Sequence, residues 1–171
     1  MVKPMIKNPS IVTIIVILLV LTLSGCAEKK WGNAPDFSLN TLDGETINLS
    51  DFQGHVILLN FMQIQCDYCM EELPILKAIT DDYAEIIVMS IDLNPYETEL
   101  LQSLIDGIYK EYGISLDWYF GMDDGSIGSE YLDVGEGIPK IVIIDKNGNI
   151  KKEFNGLTLY PILTKELDKY V

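Results

Sequence analysis

NFMQIQCDYCMEELP, residues 60–74, is the stretch that decides how this chain is interpreted, because it places Cys66 and Cys69 three positions apart. It overlaps the end of a continuous apolar run, HVILLNFM at residues 55–62, which is typical of a β-strand buried on both faces. After Cys66, apolar residues recur at helical spacing as far as about Tyr83. We therefore expect Cys66 at a helix N-terminus, where free backbone N–H groups and the helix dipole stabilise a thiolate.

The spacing of the two cysteines suits disulfide exchange. Thiols at this spacing on a helix can close a small disulfide without unwinding it, with Cys66 attacking a partner and Cys69 resolving the mixed disulfide. A metal site is the rival interpretation, but such a site needs about four ligands. The one histidine of the chain, His55, lies at the beginning of the strand, whereas the cysteine motif follows the end of the strand. We predict a redox-active disulfide with no metal and no cofactor, and keep a metal-handling module as an alternative.

The composition limits the classes of partner. The chain has 171 residues, enough for one domain and a targeting segment, and 48% of them are apolar, which supports a folded core. Its 12 basic residues, all lysines, are outnumbered by 26 acidic ones, so the formal net charge is −14. A surface of that sign repels phosphate backbones. We expect no nucleic-acid partner.

The first 26 residues, MVKPMIKNPSIVTIIVILLVLTLSGC, have the pattern of a secretory signal segment. Lys3 and Lys7 precede an apolar-to-neutral run at residues 10–25, which is shorter than the roughly 20 residues of a spanning helix. The run ends in Leu-Ser-Gly-Cys, which resembles the lipobox of secreted lipoproteins and implies that Cys26 is lipidated. An uncleaved signal anchor is the alternative. Either way, we expect an extracytoplasmic protein anchored to the cell membrane.

These features divide the chain into three parts. Residues 1–26 are the lipoprotein signal peptide or signal anchor, residues 27–34 a short tether, and residues 35–171 the folded domain. With Cys26 assigned to lipid, the other two cysteines form a single pair in a compartment where disulfides persist.

Alternating strand and helix patterns predict an α/β sandwich around a mixed sheet. An Asp-Gly turn joins two short runs within residues 35–52, which predicts an N-terminal β-hairpin. Further strands are predicted at residues 55–62, 85–92, 140–145 and 150–154, with an edge strand within residues 115–122. Helices are predicted from Cys66 to about Tyr83, at residues 97–112, within residues 124–134 and at residues 159–171.

Two sets of side chains are assigned from pattern alone. The apolar stripe of the helix at residues 97–112 is predicted to be core, and it comprises Leu100, Leu101, Leu104, Ile105 and Ile108. Acidic pairs are predicted to face solvent, namely Asp123 with Asp124 and Glu97 with Glu99.

Two stretches, APDFSLNTLDGETINLSDFQGHVILLNF at residues 34–61 and GIPKIVIIDKNGNI at residues 137–150, flank the cysteine motif. Together with that motif they resemble the membrane-tethered TlpA/ResA family, over residues 34–154. The resemblance implies a thioredoxin-like, three-layer α/β sandwich. Its mixed central sheet would carry flanking helices and an N-terminal β-hairpin.

The resemblance also implies roles for five residues. Cys66 would be the attacking thiol and Cys69 the resolving one, and together they would form the redox-active disulfide. Pro139 would be a cis-proline that faces them, and the backbone of Ile138 would hold a substrate chain. Glu72 matches a glutamate that tunes proton transfer in ResA-like members, although an ordinary solvated helix residue is the alternative.

The implied activity is that of a thiol–disulfide oxidoreductase which reduces protein disulfides, for example in cytochrome c maturation. Its partners would be protein disulfide or dithiol substrates and an electron-donor protein in the membrane, and we expect a monomer. An oxidant or isomerase of secreted proteins is one alternative. A non-catalytic redox-sensing module is another.

The chain departs from the family pattern close to the cysteines. Met62 and Gln65 stand where the family has tryptophans, and Asn60 stands where soluble thioredoxin has a buried aspartate. The residues between the cysteines are Asp67 and Tyr68, without the commoner proline. Asp67 disfavours the neighbouring thiolate and so favours a more reducing pair, whereas Tyr68 in place of proline acts in the opposite direction. The sequence leaves the direction of electron flow open.

Overall fold

The computed structural model describes residues 32–171. The predicted signal segment, Cys26 and the first part of the tether lie outside the described residues. The strands are β1 (Ser38–Thr41), β2 (Thr46–Asn48), β3 (Val56–Met62), β4 (Ile86–Asp92), β5 (Tyr119–Met122), β6 (Lys140–Ile144) and β7 (Ile150–Asn155). The helices are α1 (Asp67–Asp82), α2 (Thr98–Tyr112), α3 (Ser126–Tyr131) and α4 (Tyr160–Leu167), with a 3₁₀ turn at Leu49–Phe52.

The strands form one seven-stranded mixed sheet in the order β2-β1-β5-β4-β3-β6-β7. β3, β4 and β5 are parallel to one another, and the remaining neighbours are antiparallel. Parallel neighbours need crossover connections, which α1 and α2 provide. The predicted α/β sandwich with a mixed sheet and an N-terminal hairpin is confirmed. Met62 and Asp92 pair at the carboxyl ends of β3 and β4, so this edge of the sheet lies beside the start of α1.

The central strand β3 is buried along its whole length and separates two apolar layers. On one face, Leu58 belongs to a cluster with Leu76 of α1 and Leu163 of α4. On the opposite face, the ring of Phe61 packs against that of Tyr131 in α3, with centroids 5.5 Å apart. Fully burying each large apolar side chain contributes about 1.5–3 kcal/mol. The continuous apolar run in the sequence therefore corresponds to a strand that is covered on both faces.

The strand that the sequence predicts at an edge is internal. β5 lies between β1 and β4, with Met122 opposite Asn40 of β1 and Tyr119 opposite Met89 of β4. The edge prediction was wrong because the N-terminal hairpin returns to extend the sheet beyond β5. The four residues of β5 are too few to show, from their apolar pattern alone, whether the strand lies inside the sheet or at its edge.

The apolar stripe of α2 is less buried than predicted. Leu101 is fully buried and clusters with Leu73 of α1, but Leu100 is 52% exposed. The remaining members of the stripe are half-buried, namely Leu104, Ile105 and Ile108. The core prediction was wrong for Leu100, because the face of α2 that packs against the rest of the domain is formed by the other members of the stripe.

Asp123 is buried and caps α3, so the prediction that it faces solvent was wrong. Its carboxylate accepts hydrogen bonds of 2.8–2.9 Å from the backbone N–H groups of Gly125, Ile127 and Gly128. These N–H groups have no partner within the first turn of a helix, which is why a capping carboxylate can be buried there. Asp124, its neighbour, is exposed as predicted.

Gly121 in β5 is required by the close approach of β1. A Cβ atom at this position would lie 2.6 Å from the backbone oxygen of Asn40 and 2.6 Å from side-chain atoms of Leu39. We expect Gly121→Ala to lower the free energy of unfolding by about 1–3 kcal/mol, because β1 has to shift.

Gly107→Ala in α2 is the matched control. Within residues 32–171, no atom outside the local helix backbone lies within 4 Å of its Cβ position. Alanine should therefore raise the free energy of unfolding by up to about 1 kcal/mol through helix propensity. Urea unfolding of both variants measures the two changes. A Gly121→Ala protein as stable as the parent would contradict the packing argument.

Candidate active site

Cys66 is the N-cap residue of α1, as the sequence predicts, and it is half-buried. It is joined to Cys69 by a disulfide, with the two Cα atoms 5.2 Å apart. The backbone N–H of Cys69 donates to Cys66 Sγ at 3.2 Å. Cys69 itself is fully buried. One sulfur therefore lies at the surface on a helix N-terminus, which favours its thiolate, and the other is shielded behind it.

The Ile138–Pro139 peptide bond is cis, which confirms that prediction. Pro139 is buried at the start of β6, and Ile138 is half-buried. Cys66 Sγ lies 3.8 Å from the carbonyl oxygen of Ile138. The fold therefore brings residues 72 positions apart in the sequence into contact. The loop that carries the cis-proline therefore lies directly beside Cys66.

Glu72 is fully buried, so the alternative that it is a solvated helix residue is wrong. It follows Cys69 by three residues on α1, which places both side chains on one face of the helix. The backbone N–H of Thr158 donates to Glu72 Oε1 at 2.9 Å, and Oε2 is buried without a hydrogen-bond partner among the described residues. Burial raises the pKa of this carboxyl from 4.5 to about 7, against the opposing effect of the Thr158 N–H.

Sequence reasoning missed Thr158, which holds the Glu72 carboxylate. Thr158 is buried and lies in the connection between β7 and α4. The contact is made through its backbone N–H, which every residue except proline has. For that reason nothing in the sequence around Thr158 could signal it.

A second acidic group lies beside the cysteine motif. Gln65 Nε2 donates to Glu97 Oε1 at 2.6 Å, and Glu97 is half-buried, so its predicted exposure was wrong. Glu99 is exposed, as predicted. Asp92, the last residue of β4, is buried, and burial raises the pKa of its carboxyl. In the sequence, this buried acidic group is indicated by Asp92 itself, because it is a carboxylate at the end of the largely apolar run IIVMSID.

The position that holds a buried aspartate in soluble thioredoxin is occupied here by Asn60, whose neutral side chain belongs to a hydrogen-bonded network. Asn60 is fully buried in β3, and its Nδ2 donates to Ser90 Oγ at 3.1 Å. Trp118 Nε1 donates to the same oxygen at 3.0 Å. A buried carboxylate is therefore present at Glu72 and not at Asn60. Asp67 and Tyr68, between the cysteines, are both exposed.

The donor set beside the disulfide does not form a metal site. Among residues 32–171 there is no group of three or more histidine, cysteine, aspartate or glutamate side chains that could hold a metal ion. His55 is exposed and precedes β3, away from the start of α1. Within the same residues, none of the helices combines the length and the apolar character needed to cross a bilayer.

Comparison with known proteins agrees with this geometry. Residues 32–153 match the model of the AhpC/TSA family. The thiol-disulfide oxidoreductase ResA of a Bacillus cereus strain is 30% identical over 123 residues, which cover 72% of this chain and 68% of ResA. The thioredoxin-like protein YneN of Bacillus subtilis (strain 168) is 27% identical over 135 residues, which cover 79% of this chain and 76% of YneN.

A solved structure shows the same fold. The thiol:disulfide interchange protein of the thioredoxin family from Chlorobium tepidum TLS superposes with a TM-score of 0.69 at 21% identity. The superposition covers 84% of this chain and 98% of the other. The fold is therefore thioredoxin-like, as predicted. The family match, the ResA similarity and the Cys66–Cys69 pair together show that the chain belongs to the AhpC/TSA family and is a thiol–disulfide oxidoreductase of the ResA type.

Proposed function

We propose that this oxidoreductase is tethered to the outer side of the cell membrane and reduces disulfides in other proteins. The observation that carries the proposal is the Cys66–Cys69 disulfide, with Cys66 Sγ beside the backbone of Ile138. A half-buried sulfur next to free backbone groups can reach a disulfide in a polypeptide. A closed small-molecule pocket is not needed for that reaction.

In the proposed reaction the reduced pair gives two electrons to the substrate. The Cys66 thiolate attacks one sulfur of a substrate disulfide, which forms a mixed disulfide and releases the other substrate sulfur as a thiolate. Cys69, after losing its proton, attacks Cys66 Sγ and releases the second substrate sulfur as a thiolate, and both substrate thiolates then take up protons from the solvent. The substrate ends as a dithiol and this chain as the Cys66–Cys69 disulfide, which is the form that the structure describes.

Ile138 and Pro139 are proposed to hold the substrate chain during this exchange. The backbone of Ile138 lies beside Cys66 Sγ and can pair with an extended segment as a neighbouring strand does. Pro139 is buried and lacks a backbone N–H, so it directs the loop without competing for those hydrogen bonds. Recognition through main-chain groups suits an enzyme that acts on polypeptides.

Glu72 is proposed to accept the proton of Cys69. A buried thiol loses its proton reluctantly because a low-dielectric environment disfavours the thiolate. The Glu72 carboxyl has a pKa of about 7 and an unpartnered Oε2, so it can alternate between its two protonation states near neutral pH. A general base works best when its pKa is close to the working pH.

The anchor and the direction of electron flow complete the proposal. Residues 1–26 would act as a lipoprotein signal peptide or anchor, with Cys26 as the lipidated residue and residues 27–34 as the tether. Electrons would come from a donor protein in the membrane, and cytochrome c maturation is one process that needs such a reductant. We propose a monomer that contacts the membrane only through its N-terminal segment.

The reduction potential of the Cys66/Cys69 pair tests the direction of flow. Residues 27–171 contain only these two cysteines, so their thiol–disulfide equilibrium can be followed in defined redox buffers without interference. We expect a value of about −270 mV or lower, in the range of thioredoxin. A value near −120 mV, typical of strong oxidants, would make this protein an oxidant of secreted proteins. Absence of a two-electron couple would leave only a non-catalytic role.

A further inference from the structure

The loop that carries Ile138 and Pro139 is tied down by a buried ammonium group. This loop, residues 132–139, joins the end of α3 to the start of β6. Lys140 follows it directly and is only 2% exposed. Lys140 Nζ donates to the carbonyl oxygen of Tyr131 at 2.7 Å, to Glu136 Oε2 at 2.7 Å and to Glu153 Oε2 at 2.8 Å. An ammonium group has three donors, and all of them are used here.

Glu136 connects this ammonium to the middle of the loop. Its Oε2 also accepts the backbone N–H of Asp133 at 2.9 Å, and its own N–H donates to the Asp133 carbonyl at 3.0 Å. The hydrogen bond from Lys140 lowers the pKa of the Glu136 carboxyl, so the group is ionised at neutral pH. Lys140, the residue after the loop, is therefore joined through its Nζ atom to Tyr131 before the loop and to Glu136 in its middle.

Few other contacts hold the tip of the loop. Val134 is fully exposed and so contributes no packing there. Gly135 has a φ of 86°, and Gly137 lies two residues further on. Glycine gives the chain more conformational freedom than any other residue. The Glu136–Lys140 contact is therefore a polar constraint on the path of the backbone towards Ile138.

We propose that Glu136 and Lys140 are positioning residues that set the affinity of this oxidoreductase for polypeptide disulfides. They would act by holding the Ile138 backbone in the geometry that pairs with a substrate chain. The inference rests on the proposed function, in which Ile138 and Pro139 hold the substrate. Neither Glu136 nor Lys140 takes part in the transfer of electrons between sulfurs.

Glu153 supplies a matched control for Glu136. Both carboxylates contact Lys140 Nζ at nearly the same distance, 2.7 Å for Glu136 and 2.8 Å for Glu153. Glu153 lies on β7 and is 44% exposed, whereas Glu136 lies in the loop and is 15% exposed. Removing either side chain takes one negative charge from Lys140. Only the loss of Glu136 also frees the Asp133 N–H and the middle of the loop.

The test compares Glu136→Ala with Glu153→Ala in the full chain, purified in detergent micelles. Each protein is first reduced with dithiothreitol and then freed of it, so that the Cys66/Cys69 dithiol is the source of electrons for a single turnover; KM and kcat are the half-saturating substrate concentration and the limiting rate of that turnover. Two substrates are used: insulin, whose disulfides lie in polypeptide chains, and the small aromatic disulfide DTNB. We expect Glu136→Ala to raise KM for insulin about tenfold with little change in kcat, because binding is lost and the chemistry is not. The rate with DTNB should stay within about twofold of the parent, and Glu153→Ala should stay within about twofold on both substrates.

Each result of this comparison either supports or overturns the positioning role of Glu136. Equal insulin KM values for the two alanine variants would overturn the positioning role, and so would an equal loss by Glu136→Ala on insulin and DTNB. If Glu136→Ala does not fold, Glu136→Gln against Glu153→Gln decides, with about threefold in insulin KM expected and equality overturning the inference. Failure of the proposed function is distinguishable, because the parent protein would then reduce insulin no faster than Cys66→Ser does.

Discussion

Cys66→Ser is expected to reduce the rate of disulfide exchange to the uncatalysed background, whereas Cys69→Ser is expected to accumulate a mixed disulfide with the substrate. The difference follows from exposure, because Cys66 Sγ is at the surface beside Ile138 and Cys69 is fully buried. Without Cys66 no nucleophile reaches the substrate. Without Cys69 the first attack still occurs, but no neighbouring thiol releases the product.

The two serine variants are matched controls for each other, since each removes one sulfur and abolishes the same internal disulfide. Insulin reduction with dithiothreitol as the source of electrons measures turnover, and mass spectrometry of the non-reduced protein measures the mixed disulfide. Turnover that persists in Cys66→Ser would contradict the assignment of the attacking thiol. A mixed disulfide on Cys69 in that variant would show that the two roles are reversed.

The sequence predicts the site best where a local pattern has one physical meaning. A continuous apolar run followed by helical spacing places Cys66 at a helix N-terminus, and the structure confirms it. The cis bond before Pro139 and its position opposite the cysteines were inferred from family resemblance. Neither composition nor spacing could have placed residue 139 beside residue 66, because that contact depends on the pairing of β3 with β6.

Burial of a polar side chain is hard to predict when its partners come from other segments of the chain, and Lys140 is an example. Lys140 begins the run KIVIID and has no local feature that distinguishes it from a surface lysine. It is buried because Tyr131, Glu136 and Glu153 meet it from three separate segments. Asp123 offers a better signal, since an aspartate shortly before a helix start is typical of a cap. Buried charges of this kind are stable only when their partners are in place.

Glu72→Gln should change both the stability and the kinetics of the protein, and the size of each effect depends on pH. In the unfolded chain this carboxyl ionises near 4.5, and in the folded protein burial raises its pKa to about 7. Between these values the folded state binds more protons than the unfolded state, so the free energy of unfolding falls as the pH rises. The parent therefore loses roughly 3 kcal/mol from pH 4.5 to pH 7 through this group, at about 1.4 kcal/mol for each unit of pKa.

Glutamine has no proton to lose, so the Glu72→Gln variant should not show this decline. Its stability relative to the parent should increase from pH 4.5 through pH 7 and level off above that, as measured by urea unfolding of the oxidised proteins. Glu71→Gln is the matched control, because Glu71 precedes Glu72 on α1 and is exposed. It removes the same charge without a buried carboxyl, so its stability difference should vary little with pH.

The kinetic effect of Glu72→Gln should appear in the step that Cys69 performs. In the parent, the rate of release of the mixed disulfide should rise with pH through a midpoint near 7 and level off above it, as the carboxylate becomes available to accept the thiol proton. The variant should be slower at pH 7 by about a hundredfold, the lower end of the usual contribution of a general base. Its rate should continue to rise at higher pH, where hydroxide and solvent remove the proton instead.

Stopped-flow mixing of each reduced protein with a peptide disulfide, from pH 5 to 9, measures the dependence of this rate on pH. A profile equal to that of Glu71→Gln would show that Glu72 is a buried acid with a cost to stability and no part in exchange.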